Sequence, residues 1–147
     1  MKALQPSNYV LTLIKKFEGF SSKAYLCPSK VPTIGYGFTK GVQLGDVMTM
    51  EQADERLKAE VKDFAKGLNS ALMSFDINVN QNQFDALLSF AYNVGLDSLL
   101  NSTLFKKLTK GDYKGASDEF GKWVYSNHVK LNGLVARRKA EKELFNS

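Results

Sequence analysis

Cysteine, histidine and tryptophan each occur once, at Cys27, His128 and Trp123, and proline occurs only three times. A lone cysteine cannot close an internal disulfide, and one cysteine with one histidine falls short of a structural zinc site. No metal and no cofactor is therefore expected. Long apolar runs are missing as well. In the opening MKALQPSNYVLTLIKKFEG, Lys15, Lys16 and Glu18 interrupt the hydrophobic residues, which leaves neither a secretion signal nor a membrane span. The expectation is a soluble cytoplasmic product that something else must release if it acts elsewhere. No arginine-rich helix, zinc-finger spacing or aromatic RNA-binding motif is present, so nucleic acid is disfavoured as a partner. Acidic residues are scarce at the start: Glu18 is the only one among the first 45 residues, which hold six lysines.

What is present fits one compact domain with a proper core. The chain has 147 residues, of which 44% are hydrophobic and 24% charged, too apolar for a disordered protein. Its net charge of +5 favours polyanions, whether nucleic acid, membrane surface or cell wall, although a merely soluble basic protein accounts for that value equally well.

Helical periodicity dominates. Ser7 is placed to cap a short helix whose apolar face is Val10, Leu13, Ile14 and Phe17, with Glu18 at its C-terminal end. Thr49 and Gln52 form a capping box ahead of Ala53, Leu57, Val61, Phe64 and Leu68. Asn80 and Gln83 form another, ahead of a stripe running from Phe84 to Tyr92 and stopping at Gly95. Shorter helices are predicted over 98–109, 112–123 and 134–145. Between residues 23 and 45 the character changes. Gly35, Gly37, Gly41 and Gly45 punctuate β-like pieces, KAYL, PTIGYGF and GVQL, with a turn at TKG, residues 39–41. The fold class is thus α+β and mainly helical, with a small glycine-rich sheet near the N-terminus. A long helix joins that sheet to an all-helical remainder, and a cleft between two such lobes suits a ligand.

The stretch EGFSSKAYLCPSKVPTIGYG, Glu18 to Gly37, carries the candidate chemistry. A carboxyl group flanked by Phe17 and Phe20 at a helix C-terminus is expected to have a raised pKa, which suits a general acid. Glycosidases protonate a leaving oxygen with such a group and use a second group on the opposite side of the sugar. No second carboxylate lies nearby; Cys27 and Thr33 do. Residue types alone also allow Glu18 to be a surface acid at a helix end and Cys27 a small buried hydrophobe.

The order FEG, AYL-C, PTIGYG resembles the opening of the bacteriophage-type lysozymes, the endolysins of glycoside hydrolase family 24. Their pattern is Glu, eight residues, Asp or sometimes Cys, five residues, Thr; Glu18, Cys27 and Thr33 match it position by position. FAYNVG at 90–95, KWV at 122–124 and GLVARRKAEKELF at 133–145 resemble later blocks of the same family. One departure is Phe38, where the family usually has a histidine after TIGYG.

The resemblance implies a two-lobed, lysozyme-like fold forming one catalytic domain over 1–147. Its N-terminal lobe would span about 18–60, and its helical lobe about 70–147 plus the first helix. It implies hydrolysis of the β-1,4 bond between N-acetylmuramic acid and N-acetylglucosamine in peptidoglycan. Glu18 would be the acid, Cys27 would stand in the place of the usual aspartate, and Thr33 would orient the attacking water. Arg137, or alternatively Arg138, would pair with Glu18 across the lobes. Tyr36, Tyr92 and Trp123 are candidate cleft aromatics, with core packing as the alternative for each, and Asn93 is a candidate for the cleft wall. His128 reads as bystander surface. A monomer is expected, made in the host bacterial cytoplasm and reaching the wall through lesions made by a separate holin. Three rivals share some of these features: a lytic transglycosylase on the same bond, a cysteine hydrolase using Cys27 and His128, and a non-catalytic wall-binding module.

Overall fold

The computed structural model describes residues 2–147. Among the described residues there are seven α-helices, one short 3₁₀ turn and two small antiparallel hairpins. The first helix, α1 (Asn8–Glu18), starts where the Ser7 hydroxyl accepts a hydrogen bond from the Val10 amide at 3.2 Å. The Ser7 amide also donates to Asp85 at 3.3 Å, so the cap that begins α1 ties it to a buried acid of a later helix. Val10, Leu13 and Ile14 face inward and Glu18 is the last helical residue, with Gly19 as the cap.

Strands β1 (Ser21–Leu26) and β2 (Pro32–Gly35) pair antiparallel, with Tyr25 opposite Thr33 and a register irregularity between Ser21 and Tyr25. The predicted third piece, GVQL, is not a strand. The Lys40–Gly41 turn is present, but the chain beyond it rejoins the sheet only through a single bridge between Lys23 and Val47. Phe38, the departure from the family histidine, is buried and bridges Ile34 by reciprocal backbone bonds of 2.9 Å.

Helix α2 (Met50–Ser74) has the expected capping box and buries Ala53, Leu57, Val61, Ala65, Leu68 and Leu72. Phe64 is only half buried, packed on Tyr92 at 5.7 Å. Helix α3 (Gln81–Val94) is the central element; every residue from Phe84 to Ala91 is buried, Asp85 and Ser89 included, so its burial is continuous rather than striped.

The single helix predicted over 98–109 is two, α4 (Leu96–Leu100) and α5 (Thr103–Thr109). Ser102 makes the break, because its hydroxyl accepts from the Phe105 amide at 3.1 Å and restarts the chain. The predicted 112–123 helix is α6 (Tyr113–Glu119) followed by a 3₁₀ turn, Phe120–Lys122. A hairpin that periodicity missed, β3 (Tyr125–Ser126) and β4 (Val129–Lys130), precedes α7 (Asn132–Phe145). No helix among the described residues is long and apolar enough to cross a membrane.

Glu119 illustrates how the outer helices are pinned. Its carboxylate is almost fully buried and lies 2.6 Å from Lys122 and 3.2 Å from Lys107. The Lys122 bond first, and Lys107 with it, hold the carboxyl below its ordinary range against the opposing effect of burial. A lowered folded-state value stabilises the fold above the unfolded value of about 4.3, and that contribution disappears as pH falls through the folded one. Glu119→Gln should therefore lower the urea midpoint at pH 7, and the gap to wild type should close below about pH 4. A gap that persists unchanged in acid would show that packing, not charge, is what Glu119 supplies.

Candidate active site

Glu18 ends α1 with its side chain 17% exposed, and Arg137 of α7 reaches it with Nη1 at 2.6 Å from Oε2. The α7 periodicity explains why: residues 134, 137, 141 and 144 share one face, which turns Arg137 inward although it is charged. Its guanidinium also donates from Nη2 to the Ser89 carbonyl at 3.1 Å and from Nε to Glu141 at 3.3 Å. It sits 5.8 Å from the Phe17 ring.

Glu141 went unnoticed at the sequence level as a functional candidate. It is fully buried and takes the Ser89 hydroxyl at 2.6 Å. Burial raises its pKa, opposed by Arg138 and Arg137 and by the Ser89 bond. The only advance signal was its place one turn after an Arg-Arg pair on an otherwise charged helix.

Arg138 turns to the other side. Its Nη2 donates to Asn93 at 2.7 Å, and the guanidinium stacks over Phe90 at 4.9 Å. Nε lies 2.8 Å from Glu141 Oε1, close enough for an ion pair but misaligned for a hydrogen bond, so Nε, Nη1 and that oxygen lack hydrogen-bond partners. Burial, with Arg137 adding and Glu141 opposing, pushes its pKa down to about 10. Arg137, not Arg138, is the residue on Glu18.

The β2 side closes the site through backbone. Gly37 has φ +82°, and a Cβ there would collide with Glu18 Oε1. The Tyr92 hydroxyl, from α3, donates to the Tyr36 carbonyl at 2.9 Å. Burial first, then the Glu18 charge, raises the Tyr92 pKa well above its ordinary value.

Cys27 and Thr33 sit on the hairpin that leads into Gly37. The Cys27 amide donates to Val31 at 3.1 Å, which makes Thr33 the diagonal neighbour of Cys27 across the strands. The Val31 backbone amide, with those of Ser29 and Cys27 and the Thr33 hydroxyl, holds the thiol below its ordinary value although burial opposes. Thr33 is buried and donates to the Val31 carbonyl at 2.9 Å. A single hydroxyl proton serves either that carbonyl or a thiolate, not both.

The aromatic candidates separate. Tyr36 is a core residue, 4% exposed, whose hydroxyl donates to Asp54 at 2.9 Å; its ring offers a sugar no open face. Trp123 is half buried, edge-on to Phe90 at 5.3 Å, and lines a cavity of about 280 Å³ with Asn93 and Leu134. His128 stands exposed in the β3–β4 turn with φ +66°.

Two substitutions test this frame. Glu141→Leu leaves two guanidiniums without their shared buried anion and should cost about 3–5 kcal/mol of unfolding free energy in a urea titration. Gly37→Ala should displace the Glu18 carboxyl by roughly an ångström. Turnover should drop by about 10²-fold, with circular dichroism unchanged. Wild-type turnover in that variant would show that the carboxyl has room to spare.

A sequence model of the phage lysozyme family matches residues 15–141. The chain is 43% identical over 141 residues to the endolysin of Acyrthosiphon pisum secondary endosymbiont phage 1, across 93% of this chain and 94% of that protein. It is 44% identical over 138 residues to the endolysin of Bacillus phage B103, across 92% of this chain but 51% of that one, so it spans about half that relative's length. The solved muramidase domain of SpmX from Asticaccaulis excentricus superposes with a TM-score of 0.87 at 31% identity, covering 97% of this chain and 98% of that one. With that fold and that match, the chain belongs to the phage lysozyme family.

Proposed function

We propose that this chain is a peptidoglycan-degrading endolysin, an N-acetylmuramidase that adds water across the β-1,4 bond between N-acetylmuramic acid and N-acetylglucosamine. The observation that carries the reading is Glu18, mostly shielded and held by Arg137 at 2.6 Å between α1 and α7. A charge-assisted bond of that length fixes the carboxyl group, which is what proton delivery to one particular oxygen requires.

In this mechanism Glu18 gives its proton to the glycosidic oxygen as the C1–O bond breaks. Water supplies the new oxygen at C1, and its proton passes to Cys27 or to solvent. Thr33 orients that water, and Cys27 activates it as a thiolate, a state favoured by the backbone amide of Val31. Asn93 and Trp123 contact the glycan chain. Tyr92 buttresses the acid through its bond to the Tyr36 carbonyl rather than by touching sugar. Release to the wall by a separate holin, and action as a monomer, belong to the same reading and rest on family likeness.

Glu18→Gln keeps the shape of the side chain but removes the proton, and clearing of a wall suspension should slow by at least ~10²-fold. Near-normal clearing by a folded Glu18→Gln protein would sink the assignment. For the thiol, the alkylation rate of Cys27 by iodoacetamide should be half-maximal below its ordinary value of about 8.5. Cys27→Ala should lose much of the activity and Cys27→Asp should retain it. Full activity in Cys27→Ala would reduce the residue to packing.

A further inference from the structure

A group of five cationic side chains lies beside α7, apart from the Glu18 pair. A cavity of about 510 Å³ opens between the 3₁₀ turn, the β3–β4 hairpin and α7. Lys122, Lys130, Arg138, Lys139 and Lys142 line it, and no carboxylate does. Helical spacing explains the α7 share, because 135, 138, 139 and 142 fall on one face.

Three carboxylates touch these five cations. Glu119 takes Lys122 at 2.6 Å, Asp118 takes Lys142 at 3.1 Å, and Glu141 takes Arg138 at 2.8 Å. The Lys142 pair is about half exposed on each side and so only weakly neutralises. Lys130 and Lys139 have no ion pair among the described residues. Behind them Arg138, 2% exposed, keeps Nη1 without a partner. Two uncompensated ammonium groups in front of a half-satisfied guanidinium make a site that is short of negative charge.

The number of cations selects the ligand. A single carboxylate needs one cation, whereas a phosphodiester polymer repeats a negative charge at every linkage and can meet several cations at once. Lysines on flexible stems act as point charges and tolerate varied phosphate geometry. Val124, Tyr125 and Val135 supply an apolar wall for the carbon linkers between phosphates. Tyr125 also lines the smaller cavity of Asn93 and Trp123, so the two spaces adjoin at this residue.

We propose that this cavity is an anion site, separate from the Glu18 centre, that binds phosphate groups of phosphodiester polymers attached to the wall. The source of the phosphate rests on the muramidase reading above; the site itself does not. Binding there would hold the enzyme on an anionic wall while the Glu18 site works on neighbouring glycan, and added salt would weaken it.

The test uses the full chain, labelled with ¹⁵N and titrated with inorganic pyrophosphate. Saturable amide shifts should cluster at Tyr125, Lys130, Val135 and Lys139. In the Lys130→Gln/Lys139→Gln double variant the apparent Kd should rise at least about tenfold. Absence of saturable shifts, or an unchanged Kd in the double variant, would overturn the site. The double variant should clear intact phosphate-bearing walls more slowly than wild type. It should match wild type on the same walls after hydrofluoric acid has stripped the phosphodiester polymer. A deficit that survives stripping, or one mirrored by competition from anionic phospholipid vesicles but not from the released polymer, would overturn the wall as the source. Pyrophosphate binding with no activity on any wall would reject the muramidase reading and leave the site standing.

Discussion

One guanidinium joins the parts of this molecule that matter for its chemistry. Arg137 is 3% exposed and bonds to Glu18 of α1, to the Ser89 carbonyl of α3 and to Glu141 of its own helix. A buried arginine is costly unless every donor is directed at an acceptor, and here the three acceptors come from three helices. Glu141 is what keeps the arrangement stable without the candidate acid. It neutralises the pair from behind, so that Arg137 can be offered to Glu18 rather than consumed by it. Such a two-sided hold orients a carboxyl group while leaving part of it reachable from solvent.

The opposite side of the site is defined by backbone rather than by side chains. Gly37 approaches so closely that no other residue fits beside the Glu18 carboxyl, and its positive φ already excludes most of them. Tyr92 then fastens the preceding carbonyl of Tyr36 to α3. The hairpin bearing Cys27 and Thr33 thus has its far end anchored to the helical lobe. Its glycines are therefore positional requirements, not signs of mobility.

Much of this was legible in the sequence because it depends on local rules. Both capping boxes are present, since a Thr or Asn with a Gln three residues on satisfies two backbone donors regardless of context. The order of FEG, AYL-C, PTIGYG and the later FAYNVG, KWV and C-terminal blocks pointed to the family, which the match over residues 15–141 supports. What was misread depends on tertiary packing. Ser102 divides a helix because its hydroxyl competes with the backbone, and an apolar pattern continuing across it hides the break. GVQL has the composition of a strand but no partner to pair with. Tyr36, for which cleft and core were both open, lies in the core, and its hydroxyl reaches the partly exposed Asp54. Glu141 was passed over because a glutamate on a charged helix ordinarily faces water, and only the fold puts Ser89 and two arginines around it.

The adjacent arginines show how one helix can serve two surfaces. Consecutive helical residues diverge by about 100°, so Arg137 and Arg138 cannot face the same neighbour. Arg137 points to Glu18, whereas Arg138 bonds Asn93 and borders the lysine-lined cavity. Both lean on Glu141, whose single negative charge is divided between them. Electrostatically the two surfaces are therefore not independent. An anion drawn towards Arg138 would relieve its claim on Glu141 and leave more of that charge for Arg137. The net charge of +5, which in composition looks like general solubility, is thus partly gathered around Arg138, next in sequence to the partner of Glu18.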